Sequence, residues 1–313
     1  MAAALALAQR GAGQTGLNPN VGCIIVKHGR IIGRGWTQLG GRPHAEAMAL
    51  AQAGTEAAGS TVYVTLEPCA HKSERGPSCA DALVSAQPAR VVTAITDPDP
   101  RTSGYGLARL VEAGITADVG VMGQEAAHSV QGFIMRQTKG RPFVTLKLAT
   151  SLDGAIAMAN GSSRWITGEA ARAHTHIERM QCDAILVGAG TVRSDNPSLN
   201  VRLPGLETRS PRRVMLGHDN APEGWTTIRR PEDISKLECN NLMVEGGAQT
   251  AASFLRAGLI DRLILYRAPI MIGGGKSCLT DIGLSQLQDA HGKWRLQDSR
   301  MLGMDRMEVY LRS

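Results

Sequence analysis

The sequence predicts two α/β domains in series, and three observations carry that expectation. The chain has 313 residues, more than the roughly 100–200 of a usual single domain. Apolar, β-branched runs alternate with helix-like segments, the pattern of a sheet covered by helices. The alternation breaks at Lys139-Gly140-Arg141-Pro142 and then restarts. The expected domains are therefore residues 1–140 and 141–313.

In the first domain, strands are expected at residues 23–26, 31–33, 62–66 and 90–95. Helices are expected at 43–53, 80–86, 104–113 and 126–137. In the second, strands are expected at 143–148, 184–187, 213–216, 241–244, 262–266 and 307–311, with helices at 168–180 and 248–257. Helix periodicity and strand alternation carry these assignments. No internal repeat or low-complexity segment interrupts them.

Composition narrows the function classes. With 43% hydrophobic residues, 20% charged residues and 36 glycines, the chain reads as a globular protein with many tight turns. Only 4% is aromatic, so the cores must rest on aliphatic side chains. No run approaches the roughly 20 apolar residues of a membrane span. The first eight residues are apolar but carry no basic leader, and they read as the start of an amphipathic helix rather than a signal peptide. Six irregularly spaced cysteines suggest reduced thiols and a cytoplasmic location. The net charge of +6 fits nucleic acid or phosphorylated small molecules. The scatter of the basic residues, with no lysine/arginine block, slightly favours the latter.

The chemistry concentrates in the first domain. Pro43-His44-Ala45-Glu46 is expected to open a helix, with proline at its first position. A strand runs into Glu67-Pro68-Cys69, and Cys79 precedes the next helix. One imidazole and two thiolates give three ligands, His44, Cys69 and Cys79, and leave a fourth tetrahedral position for water, as in catalytic zinc sites. Zinc lowers the pKa of such a water toward neutrality. Glu46 is placed to carry a proton from that water to a ring nitrogen and then to leaving ammonia. A His-x-Glu triplet alone means little; joined to Pro-Cys at a strand end and to a second cysteine it is the signature of zinc nucleobase deaminases. Nearby helix N-termini favour the thiolate form of the sulfurs.

Nine residues, 70–78, separate the two cysteines, where nucleic-acid deaminases have two. The ligands cannot then sit on adjacent helical turns, and the loop must bulge and return. It carries His71, Lys72 and Arg75, cations suited to a substrate phosphate.

The second domain is less explicit. Glu245-Gly246-Gly247 follows a strand and precedes a helix, so backbone amides can approach a phosphate there. Gly188-Ala189-Gly190-Thr191 forms a similar turn but lacks the third glycine of the dinucleotide fingerprint, since position 193 is Arg. Gly273-Gly274-Gly275-Lys276-Ser277 is not a triphosphate-binding loop, because position 270 is Ile. His174 and His176 lie two apart on a helix, point in different directions and are expected at the surface. Cys23, Cys182, Cys239 and Cys278 read as small buried or partly buried residues.

Taken together, Asn18-Pro19-Asn20-Val21-Gly22, His44-Ala45-Glu46, Thr65-Leu66-Glu67-Pro68-Cys69 and Lys147-Leu148-Ala149-Thr150-Ser151-Leu152-Asp153-Gly154 occur in that order. Ser163-Arg164-Trp165-Ile166-Thr167, Thr191-Val192-Arg193-Ser194-Asp195-Asn196-Pro197 and Val244-Glu245-Gly246-Gly247 continue the series. The whole chain resembles the bifunctional deaminase/reductase family of riboflavin biosynthesis. The resemblance implies a cytidine-deaminase-like three-layer α/β domain followed by a dihydrofolate-reductase-like α/β domain. It implies zinc in the first and NADPH in the second. The implied reactions are deamination of 2,5-diamino-6-(5-phosphoribosylamino)pyrimidin-4(3H)-one, then reduction of the ribosyl group, giving 5-amino-6-(5-phosphoribitylamino)uracil.

By the same resemblance, Asn18, His71, Arg75, Asp97 and Asp99 line the deaminase pocket. Family members often carry asparagine at position 99, and an aspartate there accepts hydrogen bonds but cannot donate as an amide does. Lys147, Ser163, Arg179, Leu199, Arg202 and Glu245 are implied to hold the reductase substrate, with Arg179 and Arg202 as forked donors for a phosphate. Thr150, Trp165, Thr191, Asp195 and Gly247 are implied to hold NADPH, the Trp165 indole packing on a flat ring. Hydride transfer needs orientation more than acid–base power, so no zinc is expected in this domain. The expected partners are phosphorylated pyrimidines, in a homo-oligomer that binds neither nucleic acid nor membrane. A nucleic-acid-editing deaminase is disfavoured by the cysteine spacing and by the lack of a basic, aromatic-interleaved groove; a pseudoenzyme is disfavoured by the complete ligand set with Glu46.

Overall fold

The structure is a computed structural model describing residues 1–71 and 76–313. The chain divides into two compact units, Met1–Gly140 and Arg141–Ser313. The first runs α1 (Ala2–Ala8), β1 (Gly22–Lys27), β2 (Arg30–Trp36), α2 (Ala45–Ala53), β3 (Thr61–Val64) and α3 (Cys79–Ala86). It continues with β4 (Arg90–Thr93), α4 (Tyr105–Glu112), β5 (Thr116–Val119), α5 (Gly123–Ser129) and α6 (Gln131–Lys139). The sheet order is β2-β1-β3-β4-β5, antiparallel through β1 and parallel from β3 to β5. Helices α3 and α4 lie on the two parallel crossovers.

Close approach places the catalytic end of α2. A Cβ on Gly35 of β2 would stand 2.0 Å from the Ala45 carbonyl oxygen. Only glycine lets the first turn of α2 lie against the sheet, and that turn carries Glu46. Buried Ile25, Val62, Val64, Leu83, Val91 and Leu110 form the aliphatic core beneath.

Three expectations for this unit change. Pro43 is not the first helical residue: His44 is the N-cap in extended conformation and the helix starts at Ala45. The expected helix over 126–137 is two helices, because Val130 leaves helical geometry at φ −114°, ψ 22°. Strand β5 was not expected; it is a four-residue edge strand with no fully buried position, so it carries no apolar alternation.

The second unit runs β6 (Phe143–Thr150), β7 (Ala155–Ala157), α7 (Glu169–Met180), β8 (Ala184–Gly188), α8 (Ala189–Asp195), β9 (Arg212–Leu216) and β10 (Thr226–Ile228). Then come β11 (Asn241–Val244), α9 (Ala248–Arg256), β12 (Arg262–Arg267), β13 (Lys276–Ser277), β14 (Trp294–Leu302) and β15 (Asp305–Arg312). Eight strands form one sheet in the order β10-β9-β8-β11-β6-β12-β15-β14. It is parallel from β10 to β12 and antiparallel across β15 and β14; β13 pairs with β7 separately. All five β8 residues are buried, as in a parallel strand covered on both faces. Strand β14 escaped the sequence reading because it is an edge whose nine residues include none buried.

Of the adjacent parallel strands β8 and β11, the first runs directly into α8 and the second reaches α9 across the three residues 245–247. Both helices thus begin at the carboxyl end of the sheet, where open α/β folds place their ligand crevice. The glycine-rich stretch at 273–275 precedes no helix. The Asp153 carboxylate accepts from the Ile272 and Gly273 amides, so the loop is tied to the turn after β6.

Candidate active sites of the two units

In the first unit two helix starts and one strand end meet. His44 caps α2, Cys79 is the first residue of α3, and Cys69 follows β3. His44 Nδ1 lies 3.2 Å from Cys79 Sγ and 3.6 Å from Cys69 Sγ, and all three ligand atoms lie within 4.8 Å of one another. Tetrahedral bonds of about 2.0–2.3 Å give ligand separations of roughly 3.3–3.8 Å, so the group fits zinc. The loop between the cysteines does return: the Cys79 amide donates to Cys69 Sγ at 3.3 Å and the Ala80 amide to the Cys69 carbonyl at 3.1 Å.

The electrostatics also suit a dication. A hydrogen bond from Cys79, joined by His44 and the Cys79 amide, outweighs burial and pulls Cys69 down to about 4. That same hydrogen bond, with burial, pushes Cys79 up. The two sulfurs lie close enough for zinc, when bound, to hold both as thiolates. Glu46 is 3% exposed. Burial raises its pKa; His44 opposes this and Cys69 adds to it.

A cavity of about 410 Å³ opens on this cluster and brings together Asn18, His44, Glu46, Cys69, His71, Asp97 and Asp99. Arg75, like Lys72, lies outside the described residues. Burial drives Asp97 up to about 7; the Asp99 amide opposes the shift, and the charges of Asp99, Glu67 and Cys69 add to it. Asp99 goes the other way. The Arg101 guanidinium grips both its oxygens, Nη2 at 2.5 Å, and holds its carboxyl below the usual range. The carboxylate at this position is therefore neutralised by a neighbour two residues away.

Two residues that shape this site had no role in the sequence reading. Glu67 is buried and accepts four backbone N–H groups, those of Asp97, Gly104, Gly106 and Leu107, at 3.0–3.2 Å. It ties the segment bearing Asp97 to the start of α4. A Cβ on Gly106 would meet the Pro68 carbonyl oxygen at 2.1 Å, so α4 packs directly on the Pro-Cys turn. A Pro-Cys pair after a strand is a legible signal; a carboxylate satisfied by amides 30–40 residues away is not.

In the second unit two adjoining cavities, of about 250 and 630 Å³, share Lys147, Ser163 and Asp195. The smaller also holds Trp165, Arg179 and Arg202; the larger holds Thr191, Glu245 and Gly247. Leu199 and Thr150 are not brought to either. The Leu199 side chain is 4% exposed and packs with Cys182, Ile185, Val187 and Met243; Thr150 is 2% exposed at the end of β6.

Arg179 is not a free phosphate fork. Its Nε and Nη2 donate to the two Glu245 oxygens at 2.6 and 2.9 Å, and its Nη1 donates to the Asn200 carbonyl at 3.0 Å. Burial would raise Glu245, but Arg179 and then Lys147, 3.7 Å away, hold it at about 2. Arg202 is exposed and its Nη1 reaches Ser198 and Asn200. Trp165 is 64% exposed, with the Arg172 guanidinium 4.8 Å from its ring centroid. His176, expected at the surface, is 8% exposed, because α7 turns that face onto the unit. His174 is half-buried, its Nδ1 2.7 Å from the Tyr266 hydroxyl.

NADPH fits this crevice. Gly247 caps the nine-residue α9 with no side-chain bond, so its first amides are open to an anion, and Thr191 stands opposite Gly247. The fold and the donors thus assign the two units to two enzyme classes, a zinc-dependent deaminase and an NADPH-dependent reductase.

Comparison with known proteins names the lineage. Residues 1–95 match the cytidine and deoxycytidylate deaminase zinc-binding region, and residues 142–228 and 232–306 match the RibD C-terminal domain. The chain is 39% identical to riboflavin biosynthesis protein RibD of Escherichia coli K12 over 97% of its own length and 96% of that protein's. Among solved structures it is similar to Acinetobacter baumannii RibD, with TM-score 0.88, 36% identity, 100% of this chain and 97% of the other covered. It is similar too to the diaminohydroxyphosphoribosylaminopyrimidine deaminase/5-amino-6-(5-phosphoribosylamino)uracil reductase of Thermotoga maritima, with TM-score 0.89, 30% identity and the same coverage. The chain belongs to the RibD family, the bifunctional deaminase/reductases of riboflavin biosynthesis.

Proposed function

We propose that this chain performs two consecutive reactions, with residues 1–140 as the deaminase domain and residues 141–313 as the reductase domain. The first hydrolyses the 2-amino group of 2,5-diamino-6-(5-phosphoribosylamino)pyrimidin-4(3H)-one. The second reduces the ribosyl group to give 5-amino-6-(5-phosphoribitylamino)uracil. The observation that carries the reading is the convergence of His44, Cys69 and Cys79 within 4.8 Å beside a buried Glu46, in a chain that also holds a separate NADPH-sized crevice.

Zinc, when bound to His44, Cys69 and Cys79, supplies a water acidified toward neutrality. Glu46 would take one proton of that water and deliver it to the pyrimidine ring nitrogen, then take the second from the hydroxyl added to the ring carbon and deliver it to the amino group, which leaves as ammonia. Asp97 and Asn18 orient the pyrimidine, Asp99 acts with Arg101 paired to it, and His71 and Arg75 meet the phosphate. In the second domain NADPH supplies a hydride. Lys147 and Ser163 hold the substrate beside the Arg179–Glu245 pair, whose mutual neutralisation keeps the site rigid, and Arg202 offers its guanidinium to the phosphate. Leu199 contributes through its backbone. Thr191, Asp195 and the Gly247 turn hold the cofactor, with Trp165 against its flat ring and Thr150 buried at the end of β6.

The same reading makes the protein a cytoplasmic homo-oligomer acting on small phosphorylated pyrimidines, with no nucleic-acid or membrane partner. Leu296 and Met301, 50% and 60% exposed on edge strand β14, support self-association. Among the described residues no helix is long and apolar enough to cross a membrane. Incubation with the diaminopyrimidine phosphoribosyl substrate, following ammonia and cofactor absorbance separately, tests the function. Ammonia without NADPH, and ammonia plus NADPH oxidation with it, is the expected result. Oxidation without prior ammonia would overturn the order of the two reactions.

A further inference from the structure

The smaller cavity of the reductase crevice is crowded with cations, and Asp195 is the carboxylate among its lining residues. Lys147, Arg164, Arg172, Arg179 and Arg202 line it. Glu245, which lines the adjoining cavity, is already gripped by Arg179 through both oxygens. Thr175 also lines the smaller cavity, but its hydroxyl donates to the Ala171 carbonyl within α7. A phosphorylated sugar brings two chemistries to such a site. Its phosphate needs the cations, and its hydroxyl hydrogens need acceptors.

His176 meets the second need. It lines the cavity, is 8% exposed, and its Nδ1 is buried without a hydrogen-bond partner. Buried polar atoms are nearly always paired, so an orphaned one in a cavity wall marks a place for a ligand group or a water. The ring does bond to the Asn200 backbone. With Nδ1 unpartnered, that bond runs from Nε2–H to the carbonyl, and the neutral tautomer leaves a bare lone pair on Nδ1. Burial, and after it the charges of Arg179 and Arg202, lower the pKa of His176, which keeps that lone pair unprotonated near neutral pH. A neutral imidazole acceptor repels a phosphate oxygen and accepts from a hydroxyl.

We propose that His176 is a substrate-binding residue of the reductase site, its Nδ1 accepting a hydrogen bond from a hydroxyl of the substrate's pentose. This rests on the reductase reading of the second domain. The hydroxyl's own oxygen then remains free to accept from the surrounding cations, so one histidine orients the sugar while the arginines hold its charge.

The test uses the full chain and the deaminated substrate, with and without its phosphate. His176→Leu is expected to raise KM about tenfold or more for both compounds, the loss of one well-placed hydrogen bond. kcat, NADPH affinity and ammonia release from the diamino substrate should stay within about threefold of the starting protein. His176→Asn, which keeps an acceptor near the Nδ1 position, should recover most of the KM. An unchanged KM overturns the proposal. So does a rise confined to the phosphorylated compound, which would make His176 a phosphate ligand, or an equal loss of NADPH affinity, which would make it structural. Should the leucine variant fail to fold, ¹⁵N-histidine labelling of the unmodified chain decides: the Nδ1 resonance must shift on adding the dephosphorylated substrate to the NADP-bound protein, and no shift overturns the assignment. Failure of the unmodified chain to oxidise NADPH would instead defeat the reductase reading itself.

Discussion

The two sites handle charge in opposite ways. Around the zinc cluster acidic groups gather on one cavity: after burial, Cys69 adds to the raised pKa of Glu46, and Asp99, Glu67 and Cys69 add to that of Asp97. In the reductase crevice the buried carboxylate is closed within the protein, Glu245 held by Arg179 and Lys147 with side chains 8–18% exposed. The first site is completed by its metal; the second is organised before any ligand arrives. Buried pairs of this kind are costly to break from one side even where their net contribution to stability is small.

That contrast can be broken most sharply at the ligands. Cys79→Ala should abolish zinc binding and lower ammonia release by at least about 10³-fold, while reduction of the deaminated intermediate stays within twofold. Glu46→Gln should lower deamination by about 10²–10⁴-fold with zinc retained. Metal content and the two separate assays check both, and ammonia release by Glu46→Gln near the normal rate would remove Glu46 as proton carrier.

Next in size is Glu245→Gln, which leaves the Arg179 charge buried without its partner. A loss of about 3–5 kcal/mol in the second unit is expected, read by urea unfolding, together with loss of reduction and unchanged zinc content. Gly106→Ala, whose new Cβ meets the Pro68 carbonyl at 2.1 Å, should cost about 1–3 kcal/mol in the first unit and impair deamination while NADPH affinity is untouched.

The response to pH sharpens the comparison further. Asp97 is raised to about 7, so its contribution to stability is full below about pH 4 and is lost as pH climbs through 7. Glu245 is depressed to about 2, so its contribution is present above about pH 4.5 and is lost as pH falls toward 2. Hydrogen exchange read separately in each unit should show the first weakening on the alkaline side of this window and the second on the acid side. Asp97→Asn should flatten the first trend alone. The smallest effect is expected from Asp99→Asn: its partner Arg101 is 66% exposed, so the stability change should stay below about 1 kcal/mol, with at most a few-fold change in deaminase KM.

Legibility followed the range of the interactions. The strand Asn241–Val244 matched the expected residues, and most others fell within two, because a buried parallel strand announces itself as an apolar run. Edge strands β5 and β14 did not, since neither has a buried position and only a strand with one buried face must alternate. The split at Val130 depends on a local backbone angle that helix propensity does not encode. His176 was misread because periodicity says where a side chain points around its helix, not which face the rest of the unit covers.

By itself the sequence pointed to the family and to His44, Glu46, Cys69 and Cys79 as candidate site residues, because each is written in short motifs whose residue types have few chemical alternatives. Only the tertiary structure decided that Arg179 is spent on Glu245, that Arg101 neutralises Asp99, that Glu67 gathers four distant amides, and that His176 lies in the reductase wall. Each of these is a pairing in space, and a hydrogen bond or ion pair depends on distances of about 3 Å that separation along the chain does not reveal.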